Sequence, residues 1–147
     1  MAGRIVFSIF CDDIRFELGN KHSFIGVYQS HLYVPAFPIT LPKLCVYTNI
    51  VTPTSMAFGK LSVRLLQDEQ VIQEEHFSDD SFPKPDNLDW AGEHSALFFS
   101  TAFLLSPLVL SAPSTVRVEV ATESEVIRGG AIRIEEAPTA QESMRVS

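Results

Sequence analysis

The stretch "SALFFSTAFLL", residues 95–105, decides the fold, because it is the one apolar run whose spacing fits a buried strand and a short helix equally well. Its Phe, Thr and Ser residues suit a pleated surface and no capping pattern precedes it, so it reads as a strand. With that assignment no convincing helix remains in the chain. Downstream, "STVRVEVAT" (114–122) sets Val116, Val118 and Val120 against Arg117 and Glu119, the clearest period-2 alternation present. "EVIRGGAIRIEE" (125–136) completes a hairpin with it, Gly129 and Gly130 marking a bulge.

Upstream the same signals recur at short intervals. "RIVFSIFC" (4–11) is apolar on both faces, Ile5, Phe7, Ile9 and Cys11 on one and Val6 and Phe10 on the other, which predicts a central strand. "LGNK" (18–21) supplies Gly and Asn where positive φ is cheap and closes a hairpin onto "HSFIGVYQSHLYV" (22–34), with Phe24, Tyr28, Leu32 and Val34 on one face. "PAFPITLPK" (35–43) carries Pro35, Pro38 and Pro42, cannot donate a regular ladder, and is read as a crossover at the sheet edge. Strands follow at 44–51, 59–67 and 71–77, then a long polar loop at 78–94. The expected architecture is an all-β antiparallel β-sandwich of about eight strands, immunoglobulin-like or C2-like, formed by residues 1–136, with 137–147 as a loose tail.

Composition narrows the function classes. In 147 residues, 46% apolar content supports one packed core rather than an acidic disordered chain. The formal charge of −7 is uneven: residues 1–64 hold six Lys/Arg against three Asp/Glu, and residues 65–147 hold five against fifteen. So acidic a chain, without a basic cluster, argues against nucleic acid and anionic membrane as partners; the asymmetry permits contact between copies or docking on a basic protein. No apolar run approaches the roughly 20 residues that span a bilayer, and "MAGRIVFSIFCDD" runs into acids with no cleavage site, so a cytoplasmic location is expected. In that compartment Cys11 and Cys45 are expected reduced and buried.

Asp12 and Asp13 are the first candidates for chemistry. Adjacent strand residues point to opposite faces, so the two carboxylates do not converge on a substrate; they read as the polar end of a strand, one capping the hairpin or pairing with Arg15 or Lys21. Asp79, Asp80, Asp86 and Asp89 put hard oxygen ligands on the 78–94 loop, but no Asp-x-Asp-x-Asp spacing completes a calcium shell. His22, His31, His76 and His94 lie on separate segments without zinc spacing. There is no G-x-S-x-G elbow and no Gly-rich phosphate cradle. No metal and no cofactor is therefore expected. Tyr33, Phe37, Phe82 and Trp90 lie in or beside loops flanked by Pro35, Pro38, Pro83 and Pro85, and are either recognition aromatics or rings folded back to plug the ends of a sandwich.

"FCDDIRFELGNKHSFIGVY" (10–28) followed by "PAFPITLPKLCVY" (35–47) resembles the opening of a bacterial family of small single-domain proteins of unknown function. Its members similarly show C-D-D, an Arg and a Glu, a Gly-x-K turn, a G-x-Y strand and a Pro-rich crossover ending in L-P-K-L. The match spans roughly residues 7–50; beyond it "LSAPSTVRVEV" (110–120) has Ser114 where such proteins often carry glycine. The resemblance supports the fold and implies no activity, ligand or catalytic residue. The leading expectation is a non-enzymatic protein-binding or assembly module, with a protein partner or a homo-oligomer, acting through a sheet edge or the loop aromatics Trp90, Phe82, Tyr33 and Phe37. Its rivals are a calcium-dependent C2-like module on the 78–94 loop and an enzyme whose site is assembled from scattered residues.

Overall fold

Alternation of apolar and polar side chains at a period of two drives this chain into strands nearly throughout, and a computed structural model describes residues 3–82 and 96–138 of it. Eleven strands follow in order: β1 (Ile5–Glu17), β2 (Lys21–Tyr28), β3 (His31–Val34), β4 (Ile39–Leu41), β5 (Leu44–Pro53), β6 (Leu61–Gln67), β7 (Gln70–Phe77), β8 (Ala96–Leu105), β9 (Leu108–Leu110), β10 (Ser114–Thr122) and β11 (Val126–Glu136). Two short 3-10 turns, Thr54–Met56 and Asp79–Ser81, are the only helical elements among the described residues. The ambiguous stretch is a strand.

A four-stranded sheet has the order β2-β1-β5-β8, a five-stranded sheet the order β3-β11-β10-β6-β7, and β4 pairs with β9 in a separate ribbon. Every pairing is antiparallel except β3 with β11, which run parallel. One core joins the sheets: Phe10, Val46, Ile50, Phe99 and Phe103 from the first meet Leu32, Val63, Val118 and Ile132 from the second, and Leu108 and Leu110 of the ribbon join them. The valines at 116, 118 and 120 are fully buried, as their alternation with Arg117 and Glu119 requires. At one margin of the core the Arg4 guanidinium donates to Thr52 Oγ1 (3.0 Å), the Met56 carbonyl (2.9 Å) and Glu123 Oε1 (2.5 Å), and it lies 5.0 Å from the Phe58 ring centroid. These bonds tie the end of β5, the 3-10 turn after it and the β10–β11 turn to the start of β1.

The local signals act as read at both hairpin features. Gly19 and Asn20 take φ of +83° and +57° in the turn between β1 and β2, the region where Gly and Asn are least strained. The β10–β11 register slips between Arg117 and Glu119, where Gly129 and Gly130 stand on the facing strand. There Val6, Ser8 and Phe10 of β1 approach Gly129 and Gly130 of β11.

Three expectations are corrected. Residues 22–34 are two strands in two sheets, because the chain bends at Gln29–Ser30 and carries β3 to the far side of the core. β1 does not end at Asp12 and Asp13 but runs on to Glu17, paired with β2 down to Glu17–Lys21. The Pro-rich segment crosses from one sheet to the other and also contributes β4. A Cβ at Gly129 would stand 3.0 Å from Val6 Cγ1 and 3.2 Å from the Val118 carbonyl oxygen. Gly129→Val is therefore expected to lose about 1–3 kcal/mol in denaturant melts, because the backbone oxygen cannot move aside; an unchanged midpoint would show that the sheets are not in contact there.

Candidate binding surface

The outward sides of the two sheets differ in kind. On the five-stranded sheet Arg64 of β6 pairs with Glu119 of β10 and lies 3.8 Å from Glu74 of β7, and Arg133 of β11 lies 3.8 Å from Glu135. That side is a laced, solvated surface, as an exposed sheet face should be.

The four-stranded sheet follows another rule. Phe10 of β1, Val46 and Ile50 of β5, and Phe99 and Phe103 of β8 point into the core, so their sequence neighbours point away. By the same alternation the outward positions are Ile5, Phe7, Ile9 and Cys11, then Cys45, Tyr47, Asn49 and Val51, then Phe98, Ser100, Ala102 and Leu104; Val27 of β2, opposite Cys11, joins them. Ile5, Phe7, Val27, Phe98 and Leu104 are each between 46% and 57% exposed. No charged residue stands among these positions. The patch continues onto the β1–β2 hairpin, where the Phe24 and His22 rings lie 5.0 and 5.5 Å from Tyr47 and Phe16 packs edge-on to His22 at 5.0 Å. Asn49 sits between Phe7 and Ser100, and its Oδ1 is buried with no hydrogen-bond partner among the described residues.

The acids that opened the question of chemistry hold this hairpin in place. Tyr28 donates its hydroxyl proton to Asp12 Oδ1. Gly26, directly across in register, has φ of +67°, and a Cβ there would sit 2.1 Å from Asp12 Oδ2. The irregularity at Asp12 and Gly26 lets Tyr28 pack on the core while Phe24, four residues before it, packs on Tyr47 at the opposite face. Asp13 pairs with Lys43 at 2.5 Å, a partner other than the expected Arg15 or Lys21, and that hydrogen bond holds its carboxyl below the usual range. Burial, then the Asp12 hydrogen bond, pushes the Tyr28 hydroxyl up to about 12.

Cys11 and Cys45 are direct cross-strand partners, both buried and both free. Burial, reinforced by Cys45, pushes the Cys11 thiol up to about 11, and burial also raises Cys45. Two neutral thiols make neither a nucleophile nor a ready redox pair at neutral pH. Cys45, Lys43, Asp13, Ile14 and Leu104 line a shallow cleft of about 210 Å³ at the end of the apolar face.

Of the expected recognition aromatics, the three that are described, Phe82, Phe37 and Tyr33, do not gather into one site. Phe82 is 8% exposed, with its ring centroid 5.9 Å from Phe58 and 6.2 Å from Phe99; it is a core ring, the plug alternative, because Phe58 of the β5–β6 connection and Phe99 of β8 close over it. Phe37 is half-buried against the same core. Tyr33, 51% exposed, stacks on His31 at the β3 edge of the other sheet. Trp90 lies outside the described residues, as do Asp86, Asp89 and His94. Asp80 is exposed on the turn after β7, and among the described residues no three His, Cys, Asp or Glu side chains gather as metal ligands. His31 lies 3.4 Å from Glu135 and His76 lies 2.7 Å from Glu74, ordinary surface pairs. No described helix is long and apolar enough to cross a membrane.

Sequence reading missed the outward face, although its signal was present. A first strand apolar on both sides predicts a central strand, which β1 is, and the same pattern also leaves one side to await a partner.

Two outcomes test the local chemistry. Gly26→Ala should cost about 1–3 kcal/mol, because it combines left-handed backbone strain with a collision at Asp12, and the β1–β2 amides should lose hydrogen-exchange protection first. A thiol whose folded pKa is raised adds stability that is complete below its unfolded value and lost as pH climbs to the folded one. The denaturation midpoint should thus fall between pH 9 and about 11, and that fall should shrink in Cys11→Ala; an equal fall in the variant would remove Cys11 as its source.

Comparison with known proteins agrees with the resemblance noted above. Residues 6–135 match a family described as a family of unknown function, DUF6941. No curated protein matches, and no solved structure matches.

Proposed function

The chain belongs to that family of unknown function, and we propose that it is a non-enzymatic protein-binding or assembly module whose contact surface is the outward face of the four-stranded sheet. One observation carries the reading: five large apolar side chains on three strands lie about half-exposed on a single face without a charge among them. With Ile9, Tyr47 and the hairpin rings they present on the order of 500 Å² of apolar surface, in the upper part of the range of about 300–600 Å² where the largest patch of a monomer falls and is often functional. That is more than half of the roughly 800 Å² that one side of a standard interface buries. The opposite face of the molecule, with its ion pairs, provides the internal contrast.

A reducing compartment such as the cytoplasm fits this reading, supported by two thiols that are cross-strand neighbours and unbridged. The partner is read as protein: a net charge of −7 opposes nucleic acid and anionic lipid.

Phe7→Lys tests the face. Exposed substitutions cost roughly 0.5 kcal/mol or less, so the variant should melt close to the parent. It should bind an apolar fluorescent dye more weakly in the native state and lose roughly 30-fold or more in affinity for a captured partner, the cost of a hot-spot residue. Native chain that binds no dye, or equal partner capture by both proteins, would overturn the reading.

A further inference from the structure

A sheet has two edges, and proteins blunt an edge that is not meant to pair with short strands, charge, glycine or proline. Among the described residues, three of the four edges of the two larger sheets are blunted. β2 carries Lys21, His22 and the positive-φ Gly26; β3 is four residues long; β7 carries Glu74, Glu75 and His76. The fourth is β8. It pairs with β5 along all ten residues, Ala96 to Leu105, and no other described strand pairs with its far side. It holds no charge, no glycine and no proline.

The sequence of β8 also reads nearly the same from either end. Around Thr101 stand Ser100 and Ala102, then Phe99 and Phe103, then Phe98 and Leu104, then Leu97 and Leu105. Directly opposed residues in an antiparallel pair share a face, so an antiparallel partner must match side for side. A two-fold axis through Thr101 meets that condition with an identical strand. Thr101 opposes itself, a favourable cross-strand pair, and the exposed Phe98 packs on Leu104 of the second copy at both ends.

We infer that a second copy of this chain docks on β8, the two β8 strands pairing antiparallel about Thr101 so that two four-stranded sheets become one continuous sheet. The inference rests on the assembly reading above and names its partner. Charge decides for a second copy over another protein: an uncharged strand adds no repulsion between two chains of net −7 and gives a partner of opposite sign nothing to recognise. Such a pairing is isologous and closes at two, so it consumes the exposed edge without growing into a fibre. The apolar outward faces of both copies then lie side by side as one larger surface.

Sedimentation of the full chain over a wide concentration range, with two variants, tests the arrangement. The parent should be a dimer. Ser100→Lys places two like charges across the axis at an exposed position; it should remain folded by circular dichroism and raise the dimer dissociation constant roughly 30-fold or more. Thr101→Cys should form a disulfide-linked dimer on mild oxidation, because directly opposed Cα atoms about 4.5–5.5 Å apart suit a bridge, whereas the buried native thiols of the parent should not. Val27→Lys, on the far edge of the same face, should leave the dimer intact. A monomeric parent, or a dimer that survives Ser100→Lys without cross-linking at position 101, overturns the inference. If such a dimer is lost in Val27→Lys instead, the face reading stands and the edge pairing alone has failed; if the parent is monomeric, dye binding by Phe7→Lys judges the face separately.

Discussion

A sheet that carries apolar side chains on both of its faces cannot be satisfied by one opposing sheet, and this is the constraint under which the rest of the molecule is arranged. β1, β5 and β8 are such strands. Their inward residues meet the five-stranded sheet; on the outward side Tyr47 meets Phe24 and His22 of the β1–β2 hairpin, while Ile5, Phe7, Phe98 and Leu104 stay about half-exposed. Hydrophobic burial is proportional to area and indifferent to direction, so nothing in the inner core compensates for the outer face. The five-stranded sheet shows the ordinary solution, in which each inward valine of β10 alternates with a charged or polar residue that finds a partner across the strands.

The motifs at the start of the chain acquire a physical meaning in this setting. C-D-D, G-x-Y and L-P-K-L are far apart in sequence, yet Asp12 meets Gly26 and Tyr28, Asp13 meets Lys43, and Cys11 meets Cys45. Together they shape the irregularity that turns the end of the β1–β2 hairpin toward Tyr47. Two adjacent carboxylates that suggested chemistry are thus spoken for by separate partners, one a hydroxyl and one an ammonium.

How much was legible follows from where each signal lives. β10 could be read outright because its charged face and its apolar face are both written in consecutive residues. The turn at Gly19 and Asn20 and the bulge at Gly129 and Gly130 were legible because backbone demands select those residue types. The break at Gln29–Ser30 was not, since it uses neither glycine nor proline and its cause is β3 pairing with β11 about a hundred residues later. Extension of β1 through Asp12 and Asp13 depends on Tyr28 and Lys43, and burial of Phe82 depends on Phe58 and Phe99; neither dependence is local. Ala96–Leu105 is legible as a strand because residue type tips what periodicity leaves even.

Asn49 bears on what such a surface admits. Its carbonyl oxygen is enclosed by neighbours and has no hydrogen-bond partner among the described residues, in the middle of an otherwise oily sheet. An acceptor shut away without a donor costs about 1–3 kcal/mol, and the folded chain bears that cost before anything docks. A visitor that parts the neighbours and brings an N–H or O–H to the spot would recover it, and one that brings only hydrocarbon would not. On the proposed contact face, stickiness and selectivity would then be supplied by different atoms.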